Sequence, residues 1–218
     1  RNTYLILLSF IIGLADPVMA QNRGCGTDEM QRELVAKYPH VLSAQQHLDS
    51  VTRLGSGSSR IDTSEVYVIP LVFHVIHNYG PENISDAQIY DAVRILNQDY
   101  RKLNADTSAI VQSFRALAGD AHIEFRLASK DPHGNCTNGI DRIHSLQTYN
   151  GNDESKLNAW PQDYYLNIWV VAKMRDGVAG YAYYPGAVTG QLTKYDGVII
   201  LHDYVGSIGT ANPTRSRA

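Results

Sequence analysis

Charge is scarce in this sequence and nearly balanced. Among 218 residues, 19 Lys and Arg stand against 22 Asp and Glu, a formal net charge of −3 with neutral histidine. Such a balance gives no electrostatic footprint for nucleic acid. Cysteine is down to two, Cys25 and Cys136. Several catalytic signatures are missing as well. No His-Glu-x-x-His segment occurs, so a zinc helix of that kind is not within these residues. No G-x-S-x-G occurs; Ser207 in GSIG follows a predicted strand with the wrong spacing, which argues against a serine hydrolase. The glycine-rich stretches GCGTDE (Gly24 to Glu29) and GSGSSR (Gly55 to Arg60) do not follow predicted strands. A dinucleotide fingerprint is thereby excluded, and no phosphate loop is present. There is no internal repeat and no low-complexity tract apart from GSGSSR.

What is present suits a globular domain. Hydrophobic residues make up 44%, and the length allows one domain of ordinary size plus a short extra segment. The 14 tyrosines combine a packing ring with a hydrogen-bonding tip, which fits half-exposed strands and extracellular surfaces. Residues 1–20 are a different material. Tyr4 to Ala15 form an apolar run behind Arg1, and Val18, Met19 and Ala20 put small residues where a signal peptidase reads. This is read as a secretory signal cut before Gln21, too short for a comfortable membrane span. A secreted protein with no membrane association after cleavage is the expectation. Because the first residue is Arg1 rather than methionine, the sequence is expected to continue beyond its N-terminus.

Residues 21–64 read as a leading segment with a linker. Thr27 is placed to cap a helix whose Met30, Leu34 and Tyr38 share one face, and Pro39 stops it. Ser43 is expected to start a second short amphipathic helix through about Leu54, followed by the linker composition of Gly55 to Arg60. Such a segment cannot bury a core of its own, so it lies on another surface or stays apart. The main domain occupies residues 65–218. Glu65 to His77 form a long β-rich run of the kind buried on both faces, with Pro70 confined to an edge or bulge. Ser85 with Gln88 forms a capping box for a helix bearing Ile89, Val93, Leu96, Tyr100 and Leu103 as a core stripe. A shorter helix over Ala109 to Ala118 is expected to turn Ile110, Phe114 and Leu117 inward. Ile123, Phe125 and Leu127 alternate in a half-buried strand. Further strands follow in IDRIHS, YYLNIWVVAK, GVAGYAYYPG and DGVIILH. The order predicts an α/β fold with a mixed twisted sheet and backing helices, its first crossover right-handed.

Eight histidines invite a metal reading. His74 and His77 are three apart, but on a strand that spacing puts them on opposite faces. They are read as sheet histidines that find hydrogen-bond partners. His122, His133 and His144 show no ligand spacing on a predicted helix. An oxidising compartment permits a Cys25–Cys136 disulfide, and equally leaves each thiol free for another task. The residues alone therefore define a secreted α/β domain with no complete active site.

An ordered set of segments carries more. CGTDEMQREL, YVIPLVFHVIHN, ISDAQIYDAVRILNQDYR, GNCTNGIDRI, LNIWVV, GYAYYP and DGVIILHDYVGSIG follow one another over residues 24–218. Together they resemble the pappalysin family of metzincin zinc metallopeptidases, which are ulilysin-like. The resemblance implies a secreted endopeptidase made as a zymogen and acting on proteins or peptides. Its catalytic helix, with three zinc-binding histidines and a glutamate general base, is expected beyond Ala218, so no catalytic residue is assigned here. The fold implied is the N-terminal upper subdomain of the catalytic domain, preceded by a propeptide. Cys25 corresponds to a latency cysteine that would bind zinc in the dormant full-length form. It is preferred over the disulfide because propeptide removal would otherwise have to break that bond. Gly180, Tyr181, Ala182 and Tyr183 correspond to a rim strand whose edge pairs with peptide substrate. Zinc is the implied cofactor, and calcium is a further one that the resemblance allows. The fragment alone is expected to be inactive and to expose apolar surface. A secreted, non-enzymatic peptide-binding α/β domain is the alternative.

Overall fold

A computed structural model describes residues 24–55 and 65–213. The signal region, most of the linker, and Arg215 and Arg217 lie outside the described residues. The leading segment forms β1 (Gly24–Cys25), α1 (Thr27–Lys37) and α2 (His40–Gly55). The main domain then runs β2 (Tyr67–His77), α3 (Asp86–Tyr100), β3 (Ile123–Leu127), β4 (Ile140–His144), β5 (Leu166–Val171), β6 (Val178–Tyr181) and β7 (Val198–Leu201). This is the mixed α/β architecture expected from the sequence.

One seven-stranded sheet has the order β1-β6-β7-β5-β2-β3, with β4 also on β2. β2 is its spine. It pairs in parallel with β3 through residues 67–71, then with β4 through residues 73–77, and with β5 on its other side. Pro70 faces β3 one residue before the β5 ladder begins at Leu71, so its missing N–H falls where β2 has a neighbour on one side only. β7 runs parallel to β5, whereas β6 returns antiparallel to β7. β1 adds to the outer edge of β6 in parallel.

Alternation along β2 divides the apolar residues between two cores. Leu71, Phe73 and Val75 meet Ile89 and Ala92 of α3, with Phe125 and Val170. Ile76 joins Trp169, Tyr181, Ile199 and Leu201 on the opposite face, where Leu34 of α1 and Val41 of α2 complete the packing. Trp169 is fully buried, donates from Nε1 to the Leu157 carbonyl at 2.8 Å, and stacks on His74 at 5.3 Å. Removing a buried ring of this size costs about 3–5 kcal/mol. His74 places its ring nitrogens 3.1 Å from Asp141 and 2.9 Å from Asn167, a partnered sheet histidine as expected.

Several local expectations differ from the structure. The helix over Ala109 to Ala118 is absent. Two short 3-10 turns, Ala105–Ala109 and Gln112–Phe114, stand there instead, with Phe114 60% and Leu117 78% exposed. Without a face to bury, so short a segment has nothing to offset helix nucleation. Leu103 lies past the end of α3 and is exposed. α2 begins at His40 rather than Ser43, whose hydroxyl donates back to the His40 carbonyl, and it runs through Gly55. Gly26, not Thr27, occupies the N-cap of α1 and makes no side-chain cap bond. Ser85 does cap α3, accepting from the Gln88 amide at 3.2 Å. The Gln88 side chain does not close the box, because it is committed elsewhere.

Candidate functional site

The chain's own leading segment covers the sheet edge at β6. The Gly24 amide donates to the Gly177 carbonyl at 2.7 Å and the Gly26 amide to the Gly180 carbonyl at 2.9 Å. Thr27, freed from capping, accepts at Oγ1 from the Ala182 amide at 3.2 Å and from Cys25 Sγ at 3.1 Å. Glycine is required on both sides of this seam. A Cβ on Gly26 would lie 2.8 Å from Val178, and one on Gly180 would lie 2.7 Å from the Ile199 carbonyl oxygen. Side chains of α1 extend the attachment. Arg175 pairs with Glu29 at 2.8 Å and Glu33 at 2.9 Å, and the Tyr184 hydroxyl donates to Asp28. The Arg175 hydrogen bond holds the Glu33 carboxyl below its usual range.

The four rim residues named from the sequence thus sit together, but they divide by role. Gly180 and Ala182 offer backbone groups to the edge. Tyr181 and Tyr183 turn their side chains into the core, and only Val178–Tyr181 is strand. Both phenols donate to Asp153, Tyr181 to Oδ1 at 2.9 Å and Tyr183 to Oδ2 at 2.7 Å. Burial, reinforced by the Asp153 carboxylate, pushes both phenol pKa values upward. Lys156, its side chain 0% exposed, pairs with Asp153 at 3.3 Å and donates to the Tyr195 carbonyl at 2.7 Å. Its ammonium lies 4.7 Å from both tyrosine ring centres. Burial lowers the Lys156 pKa to about 8, against the pull of Asp153. This cluster had no signal in the sequence, where Asp153 to Lys156 read as polar loop.

Cys25 and Cys136 are both free and exposed, with no disulfide between them. Cys25 lies in the seam and Cys136 in the turn bridged to Lys130. Among the described residues no three of His, Cys, Asp and Glu converge as metal ligands.

β7 is an internal strand, and the loop after it is tied to α3. Gln88 Nε2 donates to the carbonyls of His202 at 3.1 Å and Val205 at 3.0 Å, while its Oε1 accepts from the Thr210 amide at 2.9 Å. Asp91 accepts from the Ser207 amide at 2.6 Å and from its hydroxyl at 2.7 Å. Burial raises the Asp91 pKa, but the hydrogen bonds from Arg94 and Ser207 outweigh it and leave the carboxyl low. Ser207 is thereby a loop anchor. Beside the loop, Phe73, Leu96, Phe125, Ile168, Val198 and Ile200 line an apolar groove of about 200 Å³.

No family model and no curated protein matches the chain. Solved structures do. A Tannerella forsythia promirolysin mutant, E225A, is 33% identical over 89% of this chain and 64% of its own, with a TM-score of 0.76. Mature Tannerella forsythia mirolysin in complex with a cleaved peptide is 38% identical over 70% of this chain and 59% of its own, with a TM-score of 0.62. Mirolysin in complex with compound 9 is 40% identical over the same shares, with a TM-score of 0.64. The chain therefore spans a little under two thirds of the length of these proteins. It has the mixed α/β fold of a metzincin-like catalytic domain, and its likeness to mirolysin, in both proform and mature form, supports the pappalysin-type metallopeptidase family.

Proposed function

We propose that residues 24–213 belong to a secreted zinc-dependent endopeptidase made as a zymogen, with residues 21–64 as propeptide and β6 as the edge that receives peptide substrate. One observation carries this reading: the exposed edge of a short rim strand is occupied by backbone from the chain's own leading segment. An edge that accepts two glycine amides and offers the Ala182 amide is built to pair with an extended peptide. While β1 and Thr27 hold those groups, no substrate can. The proform of mirolysin matches 89% of this chain and the mature form 70%, which agrees with residues 21–64 having a counterpart in the proform.

Cys25 is assigned as the latency residue. Its thiol is exposed at the seam, beside Gly26, whose missing side chain lets the backbone approach Val178 of the rim closely. No zinc ligand and no general base is assigned among the described residues. In this reading these residues seat and orient a peptide, exclude it before activation, and supply no proton-transfer group. Export rests on the signal-like residues 1–20.

The test is made on the full-length protein. Peptide hydrolysis that a chelator abolishes and zinc restores, appearing only after residues 21–64 are removed, is the expected result. The chain ending at Ala218 should neither hydrolyse casein nor bind zinc tightly. Cleavage by that shorter chain would overturn the assignment of the catalytic groups to other residues, whereas a full-length protein that hydrolyses no peptide would refute the enzyme reading in favour of a peptide-binding domain.

A further inference from the structure

β6 has little to hold it in place. Its ladder with β7 consists of two residue pairs, Gly180 with Ile200 and Tyr181 with Ile199. The segment beyond Tyr181 leaves the strand altogether. Yet the groups facing the prosegment, at Gly177, Gly180 and Ala182, must keep their spacing for any peptide to pair with them. Something other than the ladder has to fix this stretch.

We propose that Asp153 is a positioning residue for the peptide-pairing edge, pinning the rim through Tyr181 and Tyr183. The two tyrosines are two apart and both side chains are buried, while the Gly180 carbonyl and the Ala182 amide beside them bond the prosegment. Each hydroxyl donates to a different oxygen of the one carboxylate. A carboxylate that receives a phenol on each oxygen sets two points of the rim relative to each other, which a single hydrogen bond would not do. Lys156 sets its buried ammonium against the half-buried Asp153 carboxylate and over both rings. Asp153 itself comes from the turn Asp153–Ser155, which is fixed by a capping box between Asn152 and Ser155. The same carboxylate lies at the cleft between α1 and the domain, with Leu34, Tyr38, Tyr183 and Tyr195. It therefore underlies both the rim strand and the seat of the prosegment. The inference rests on the reading of β6 as a peptide edge.

The test uses Asp153→Asn and, separately, Tyr183→Phe in the full chain. Hydrogen exchange is followed at Gly24, Gly26 and Ala182 in the seam and at Val72 and Val170 in the central strands. Exchange in the seam is expected to accelerate about tenfold or more in Asp153→Asn and about threefold to fivefold in Tyr183→Phe, with the central strands unchanged. Unchanged seam exchange in both variants overturns the proposal. So does equal acceleration in seam and centre, which is the mark of a merely structural residue. Should Asp153→Asn fail to fold, Tyr183→Phe decides, because it leaves the Asp153–Lys156 pair intact. In the activated full-length enzyme, Asp153→Asn is expected to raise KM for peptides more than it lowers kcat; an unchanged KM counts against the role. If the full-length protein hydrolyses no peptide, the enzyme reading fails separately, and seam exchange still decides what positions the rim.

Discussion

Replacing Gln88 by leucine probes how the loop after β7 is held. The side chain is 1% exposed, and its amide group touches only that loop. Leucine fills a similar volume, so the change is chiefly in hydrogen bonding. It removes the side-chain partner of the carbonyls of His202 and Val205 and of the amide of Thr210. Thr210 is exposed and can turn to water. Val205 is buried, so its carbonyl bears most of the loss, while the half-buried His202 carbonyl keeps the Val205 amide at 3.5 Å. At about 1–3 kcal/mol for a buried group left unpaired, the expected destabilisation is about 1–3 kcal/mol. For a domain of this size that lowers Tm by roughly 2–12 °C. Urea denaturation followed by circular dichroism gives the free energy directly. Gln88→Glu should fare no better, since it removes the donor that both carbonyls need. A Gln88→Leu variant within about 0.5 kcal/mol of the parent would show that the loop finds equivalent partners by itself, and the clamp would then be ornamental.

Other expectations follow the same logic. Gly180→Ala should destabilise the chain by about 2 kcal/mol or more and open the β1–β6 seam, because the added methyl meets backbone of β7 that cannot move aside; denaturation with seam exchange checks both effects. Arg175→Ala should change stability by less than about 1 kcal/mol at low salt and by nothing measurable at high salt, since both ion pairs are half-exposed and screened. Cys25→Ala should leave the stability of the chain nearly unchanged while the full-length zymogen activates faster, and unaltered latency in an activation time course would remove the switch. Stability should rise with pH above about 8. Lys156 has a folded pKa near 8, so between there and its unfolded value the unfolded chain binds more protons, and up to about 3 kcal/mol of penalty is relieved. Above about pH 10 the gain should reverse, because Tyr181 and Tyr183 stay protonated in the fold and ionise when unfolded. Lys156→Met should flatten the rising limb, and a pH series of urea melts tests it.

Two residues expected to serve secondary structure serve tertiary contacts instead. Thr27 and Gln88 each carry a polar side chain that local rules assign to a cap or a capping box. Each is within reach of backbone groups in a distant segment: Ala182 for Thr27 and the 202–210 loop for Gln88. A local cap satisfies one donor at a helix end that water could also reach. The distant bond satisfies a group enclosed by the fold, where water is no substitute, and so the distant partner wins.

The amino-acid sequence by itself determined the strands, the backing helix and their order, because β2, β3, β5, β7 and α3 bury whole faces and hydrophobic periodicity records that burial directly. It also determined that His74 and His77 face apart, since strand geometry admits no alternative. What it could not determine was anything settled by partners remote in the chain. The helix expected at Ala109 to Ala118 had the right period and no surface to meet, so it exists only as two short turns. Tyr181 and Tyr183 belong to a rim motif by order, yet their side chains are claimed by Asp153 and Lys156 from a loop that carries no periodicity. Whether the β6 edge stood open or covered was likewise undecided, because hydrogen bonding between β1 and β6 is backbone to backbone and leaves almost no trace in side-chain identity beyond the glycines that permit the approach.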